Sequence, residues 1–212
     1  MNECVARDGR KEKRRDAIMK AAYELFLEEG YSNVSMTEII RRSGGSLATA
    51  YALFESKQGL LRALIEQRTA MFHEAIEYTA VTSGPPEKAL KKAAQQFMDI
   101  MLDPGTIAML RIIVTESQND VYFRESFKTR SSDSSSVILG RAFQRWHDDG
   151  LLDVDNPVQA ADSFFALLLH KIQMAALCCI DVSMTDGEME DHIDHVIRLI
   201  WCRYGKAPHP GR

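Results

Sequence analysis

The sequence predicts an all-α protein: a three-helix helix-turn-helix headpiece joined to a larger helical domain, about nine helices in all. Three observations predict it. Apolar residues recur three and four apart through most of the chain, the period of helices with a buried side. Capping residues open the segments at Ser35, Ser46, Asp103-Pro104, Asn156-Pro157 and Thr185. Glycine and proline close or separate them at Gly30, Gly44-Gly45, Gly84-Pro85-Pro86, Gly150 and Gly205.

The first helix is expected from about Lys13 to Glu29, with Ile18, Ala21, Ala22, Leu25 and Phe26 on its apolar side and Gly30 beyond its end. Tyr31 and Val34 cover the link to the second helix. Ser35 with Glu38 three residues on has capping-box spacing. Gly44-Gly45 makes a sharp turn, and Ser46 caps a third helix whose inner residues are Ala50 and Phe54. Two helices joined by a short glycine turn follow the plan whose second helix enters the DNA major groove. A generic pair of packed helices would look similar.

Composition bounds the alternatives. The chain has 212 residues and is 45% apolar, enough for a folded core. Net charge is −4, so any nucleic-acid contact is local. Residues 1–65 hold 11 basic against 9 acidic side chains, or +2; residues 66–212 hold 15 against 21, or −6. Positive charge thus gathers with the helix-turn-helix, and Arg7, Arg10, Lys11, Lys13, Arg14 and Arg15 crowd the start of the first helix. Residues 1–11 are expected to form a mobile basic arm that seeks phosphate. The polar opening MNECVARDGRKEKRR lacks a secretory leader's apolar stretch. The apolar run Ala160–Ile180 is interrupted by Asp162, His170, Lys171 and Gln173, which argues against a bilayer span. Cys4, Cys178, Cys179 and Cys202 have neither metal-site nor secreted-framework spacing, so reduced thiols and a cytoplasmic location are expected.

The run AAYELFLEEGYSNVSMTEIIRRSGGSLATAYALFESKQGLL resembles the N-terminal domain of the TetR family of transcriptional regulators. The resemblance rests on Ala21-Ala22, Leu25-Phe26, Gly30-Tyr31, Ser35-Met36, Ile39, Gly44, Ser46, Thr49, Tyr51, Phe54 and Ser56-Lys57, and covers residues 12–72. More weakly, residues 97–155 resemble the AefR-like subgroup in Asp103-Pro104 and the following LRIIVTES. The resemblance implies that Ser46, Thr49 and Tyr51 approach DNA and that Lys57 meets a phosphate. The sequence departs from the family at Leu47 (often Lys), Leu53 (often His), Ala52 (usually polar or basic) and Gly45 (usually Val), which leaves the third helix uncharged. Phosphate contacts are therefore expected from Arg14, Arg41, Arg42 and Lys57, with Ser35 beside them. Leu47 and Ala48 are suited to thymine methyls.

The fourth helix, from about Lys57 to Tyr78, carries a long apolar stripe out of the headpiece. A fifth follows from Glu87, a sixth from Asp103-Pro104, and a seventh is expected over Val121–Asp149, although its Thr129–Ser136 tract, TRSSDSSS, suits a helix poorly. Leu151 and Leu152 are expected to pack behind its end. The eighth, opened by Asn156-Pro157, is apolar nearly all round and so predicts covering on every side, partly by a second subunit. Thr185 and Glu188 cap the ninth. A homodimer through these last two helices is expected, with Phe164, Leu168, Ile172, Ile193, Val196, Ile197, Ile200 and Trp201 at the interface.

The domain plan is thus an arm over 1–11, a helix-turn-helix domain over 12–72 with its motif at 35–54, an effector-binding and dimerisation domain over 73–205, and a tail over 206–212. Phe72, Phe97, Met98, Met101, Met109, Phe143, His170 and Met174 are candidate pocket residues for a small apolar effector, since methionine adapts to varied shapes; each could equally be plain core. His192 and His195 lie near Glu188 and Asp191 without a further convergent group, and no nucleophile elbow, phosphate loop or dinucleotide fingerprint occurs. No enzyme chemistry and no cofactor are expected. The implied function is a DNA-binding regulator, in the first instance a repressor released from a palindromic operator. The alternative is a helical dimer whose headpiece no longer reads DNA and serves as a protein-interaction or ligand-sequestering module.

Overall fold

A computed structural model of the chain describes residues 2–82, 84–118, 120–121, 135–180 and 183–206. Nine α-helices lie among the described residues: α1 Asn2–Glu29, α2 Met36–Ser43, α3 Leu47–Phe54, α4 Lys57–Thr82, α5 Pro86–Met101, α6 Pro104–Ser117, α7 Ser135–Asp148, α8 Pro157–Leu177 and α9 Asp186–Tyr204. They divide into two units, Met1–Ala70 and Met71–Arg212, with α4 running unbroken through the boundary.

The helix ends follow from local chemistry. Ser35 and Glu38 make a reciprocal capping box, as do Thr185 and Glu188. Ser46, Asp103 and Asn156 each accept from a backbone N–H of the first turn, at 3.1, 2.8 and 3.1 Å. Pro104 and Pro157 take the first helical position, where no N–H is required. Glu38 and Glu188 sit below the usual carboxylate range because they accept from the cap backbone, then from the cap hydroxyl.

In the first unit, Ile18, Ala22, Leu25 and Phe26 of α1 are buried with Ile39 of α2, Ala50 and Phe54 of α3, and Leu60 and Leu61 of α4. The Phe26 and Tyr31 rings meet edge to face, centroids 5.0 Å apart, which seals the α1–α2 link. In the second unit α7 and α9 pack on α8, α9 also packs on α5, and α6 lies against α8. Its core joins Phe72, Phe97, Met98, Phe143, Phe164 and Phe165 with the inner faces of α8 and α9. Leu152 pairs with Gly205 in an isolated bridge, which ties the end of α9 to the turn after α7.

Several expectations change. The N-terminal stretch is helix from Asn2, where a loose arm was expected: Ala6, Arg7, Arg10, Lys11, Glu12 and Lys13 are good helix formers, and positive charge does not prevent a helix. Helix α4 extends to Thr82, and α5 begins at Pro86. Leu152 is buried, but Leu151 is exposed. The expected seventh helix falls partly on residues 122–134, and so does most of the Thr129–Ser136 tract; these residues and the tail 207–212 lie outside the described residues.

Candidate nucleic-acid interface and effector cavity

Helix α3 turns Ala50 and Phe54 inward and leaves Leu47, Ala48, Thr49, Tyr51 and Ala52 exposed. That outward face carries two hydroxyls, a methyl-rich surface and no charge. Ser46 Oγ lies 2.8 Å from Thr49 Oγ1, so the cap also sets the threonine rotamer. Ser35 is engaged in its capping box with Glu38, at 3.0 and 3.2 Å.

The basic side chains expected to grip phosphate divide into two groups. Lys57 turns inward: its Nζ donates to the carbonyls of Tyr31 and Val34, both at 2.9 Å, and stands 4.3 Å from the centre of the Tyr31 ring. In this structure it closes the α1–α2 link. Arg14 donates from Nη1 to the Ser43 carbonyl at 3.2 Å, and its guanidinium lies over the Gly44-Gly45 turn. Gly45 has φ +87°, a conformation that favours glycine, and a Cβ there would displace the guanidinium end of Arg14. Arg42 bonds Glu28 of α1 at 2.6 Å, which raises its already high pKa. Arg41 belongs to the second group. It is exposed, and so are Arg10, Lys11 and Lys13 on α1.

Two further elements of the headpiece have only faint signals in the sequence. Gly59 lies where α4 leaves α3, and a Cβ there would run into the Phe54 carbonyl. Arg68 donates to the Tyr23 hydroxyl at 2.6 Å and stacks over its ring. Glycine in the first turn of a helix was the available hint for the first. Nothing in the spacing announces the second.

In the second unit, the residues expected at a subunit interface are mostly interior to one chain. Phe164, Leu168, Ile172, Ile193, Val196, Ile197 and Ile200 are at most 3% exposed, and Trp201 packs against the same core. They have almost no surface left to offer, because α5 and α7 already cover those faces. The exposed large apolar residues of α8 and α9 are instead Val158, Leu167, Met174, Leu177 and Leu199. The expected pocket residues divide too. Phe72, Phe97, Met98 and Phe143 fill the core, with ring centroids 5.0 Å apart for Phe72–Phe97; Met109 is buried, and Met101 packs at the core's edge. His170 and Met174 line a cavity of about 360 Å³ between α6 and α8, with Leu110, Arg111, Val114, Thr115, Gln173, Ala176, Leu177 and Cys179. A second, more open hollow lies beside Lys171, Glu188, Asp191, His192 and His195. There Glu188 is engaged in its cap, and His192 Nε2 lies 3.3 Å from the Leu168 carbonyl. Among the described residues no helix is long and apolar enough to cross a membrane.

Residues 88–206 match the model of the AefR-like transcriptional repressor C-terminal domain, and residues 18–64 that of the bacterial regulatory proteins of the tetR family. The chain belongs to the TetR family of transcriptional regulators. TetR-family relatives include the transcriptional repressor ComR of Escherichia coli, 38% identical over 64 residues, 29% of this chain and 30% of that protein. The regulator BetI of Agrobacterium fabrum is 32% identical over 106 residues, 50% of this chain and 52% of that protein. These matches span about half of the relatives' lengths or less. The fold is shared with a TetR-family regulator from Mesorhizobium loti: TM-score 0.84, 22% identity, 92% of this chain and 98% of that one. It is also shared with SmeT, the repressor of the Stenotrophomonas maltophilia efflux pump SmeDEF: TM-score 0.66, 21% identity, 93% and 94% coverage. SmeT has also been solved with triclosan. The family regulates transcription and is not one of enzymes.

Proposed function

We propose that this TetR-family regulator is a cytoplasmic homodimeric repressor that leaves a palindromic operator when a small, largely apolar effector occupies its C-terminal unit. One observation carries the DNA half: the outward face of α3 is exposed and unpaired at Leu47, Ala48 and Tyr51, while Arg41 and the basic start of α1 remain exposed for phosphate. The exposed apolar side chains Val158, Leu167 and Leu199, which do not line the cavity, support burial of that surface against a second copy. A two-fold dimer would present its recognition helices about 34 Å apart, the repeat of successive major grooves. Release requires the effector to prefer the conformer that does not fit DNA. The α6–α8 cavity is the place for it.

Selection from random DNA with the purified full chain, followed by gel shift against salt, tests the reading. The expected result is an inverted repeat bound with a steep salt slope. No preference for any sequence over competitor DNA at low salt would sink it. A second reading, a headpiece that has become a protein-interaction or ligand-sequestering module, is favoured by the inward turn of Lys57 and Arg14 and the uncharged α3. That same negative result would select it.

A further inference from the structure

The walls of the α6–α8 cavity carry a charge asymmetry that a purely apolar effector would leave unused. Among the described residues its lining includes no carboxylate and one full cation, Arg111. Arg111 Nε donates to the Ala176 carbonyl at 3.1 Å and Nη2 to the Ile180 carbonyl at 3.3 Å. The Ala176 carbonyl belongs to the last turn of α8, where a helix carries only about half a negative charge, and Ile180 lies three residues past that helix. The two carbonyls therefore aim the guanidinium without neutralising it. Nη1 has no hydrogen-bond partner assigned, and no described carboxylate pairs with this side chain. Around the cation, Leu110, Val114, Met174 and Leu177 supply the apolar surface, and Gln173 contributes a polar end. The volume, about 360 Å³, falls in the range of small-molecule sites. The more open hollow beside α9 lacks this asymmetry, because Glu188 and Asp191 stand there with Lys171.

We propose that the α6–α8 cavity binds a small amphipathic carboxylate, its acid group on Arg111 and its apolar body between Leu110, Val114, Met174 and Leu177. This rests on the effector reading above and adds the chemical class. An oriented guanidinium in a half-apolar cleft forms stronger, charge-assisted bonds to a carboxylate than to an ester of the same shape.

The test is calorimetric titration of the full chain, without DNA and at low salt, with 4-butylbenzoate and with its methyl ester. The acid is expected to bind about tenfold or more tightly than the ester. That preference shrinks as sodium chloride is raised. Val114→Phe, which fills the cavity, should weaken acid binding by about tenfold or more. Arg111→Gln should bring acid and ester to equal affinity. Equal binding by the wild type, binding of neither probe, or an unchanged acid affinity in Val114→Phe overturns the proposal. Should Arg111→Gln fail to fold, the acid–ester ratio and Val114→Phe still decide. A release assay separates the two readings. A chain that binds the acid yet keeps its DNA refutes release by effector and leaves the site standing. Release by the ester alone removes the carboxylate class and leaves release intact.

Discussion

The headpiece and the C-terminal unit weight the partners of their long basic side chains differently, although Arg42 of the headpiece pairs with Glu28 and Arg111 of the C-terminal unit reaches carbonyls. In the headpiece Lys57 and Arg14 reach backbone carbonyls beside the two sharp turns, where helix ends leave acceptors without intrahelical donors. In the C-terminal unit Lys91 bridges α5 to Asp194 and Glu190 of α9 at 2.7 and 3.2 Å, and Arg203 approaches Asp155 at 3.4 Å, all at partly exposed positions. Where helices end, at the headpiece turns and after α8, backbone is left to satisfy; where helices pack side by side, as α1 with α2 or α5 with α9, faces are matched. A tally of basic residues near a helix-turn-helix therefore includes some already engaged within the chain.

The contrast can be broken by substitution. The largest effect belongs to Gly59→Ala, where the added methyl meets the rigid Phe54 carbonyl. We expect a loss of about 3 kcal/mol and no operator shift, read by thermal unfolding and gel mobility. Lys57→Gln should cost about 2 kcal/mol, since an ammonium on two carbonyls is lost. Its DNA binding should weaken without a change in salt slope, and a slope reduced by about one would instead place Lys57 on a phosphate. Arg41→Gln is the counterpart: stability within about 0.5 kcal/mol of wild type and a slope lower by about one. An unchanged slope there would mean that the exposed cation is not a contact. Lys91→Ala, its ion pairs screened by solvent, should cost no more than about 1 kcal/mol. The smallest effect is at Glu38. Its pKa is lowered on folding, so its contribution is complete above its ordinary value of 4.5 and fades as pH falls through the lowered value. Wild type and Glu38→Gln should therefore differ in midpoint temperature at neutral pH and converge in acid. A constant gap would show that the charge is irrelevant to the cap.

Much of the fold was legible in the sequence because its signals are local. Ser35, Ser46, Asp103, Asn156 and Thr185 cap helices by bonds to residues three along, and such bonds need no knowledge of the rest of the chain. The family marks around Gly44 and Tyr51 were legible for the same reason. What spacing withholds is the far end of a long side chain. Lys57 meets carbonyls 26 and 23 residues away, and Arg14 one 29 residues away. Periodicity likewise finds an apolar stripe but not what covers it. Phe164 and Ile193 were expected at a subunit interface, yet the chain's own helices bury them. A cluster of Phe and Met on several helices was equally ambiguous. Phe97 and Phe143 close the core, and the hollow opens where Arg111 props α6 against the end of α8.

The Arg14 guanidinium over Gly45 couples two positions 31 residues apart in the chain. A side chain at 45 has to displace the end of Arg14 and tolerate a left-handed backbone. Shortening position 14 removes its bond to the Ser43 carbonyl and leaves the Ser43 hydroxyl on Gly44 to hold the turn. Relatives should therefore fall into two classes, one with arginine facing paired glycines and one with a larger turn residue facing a short side chain, with few sequences in between.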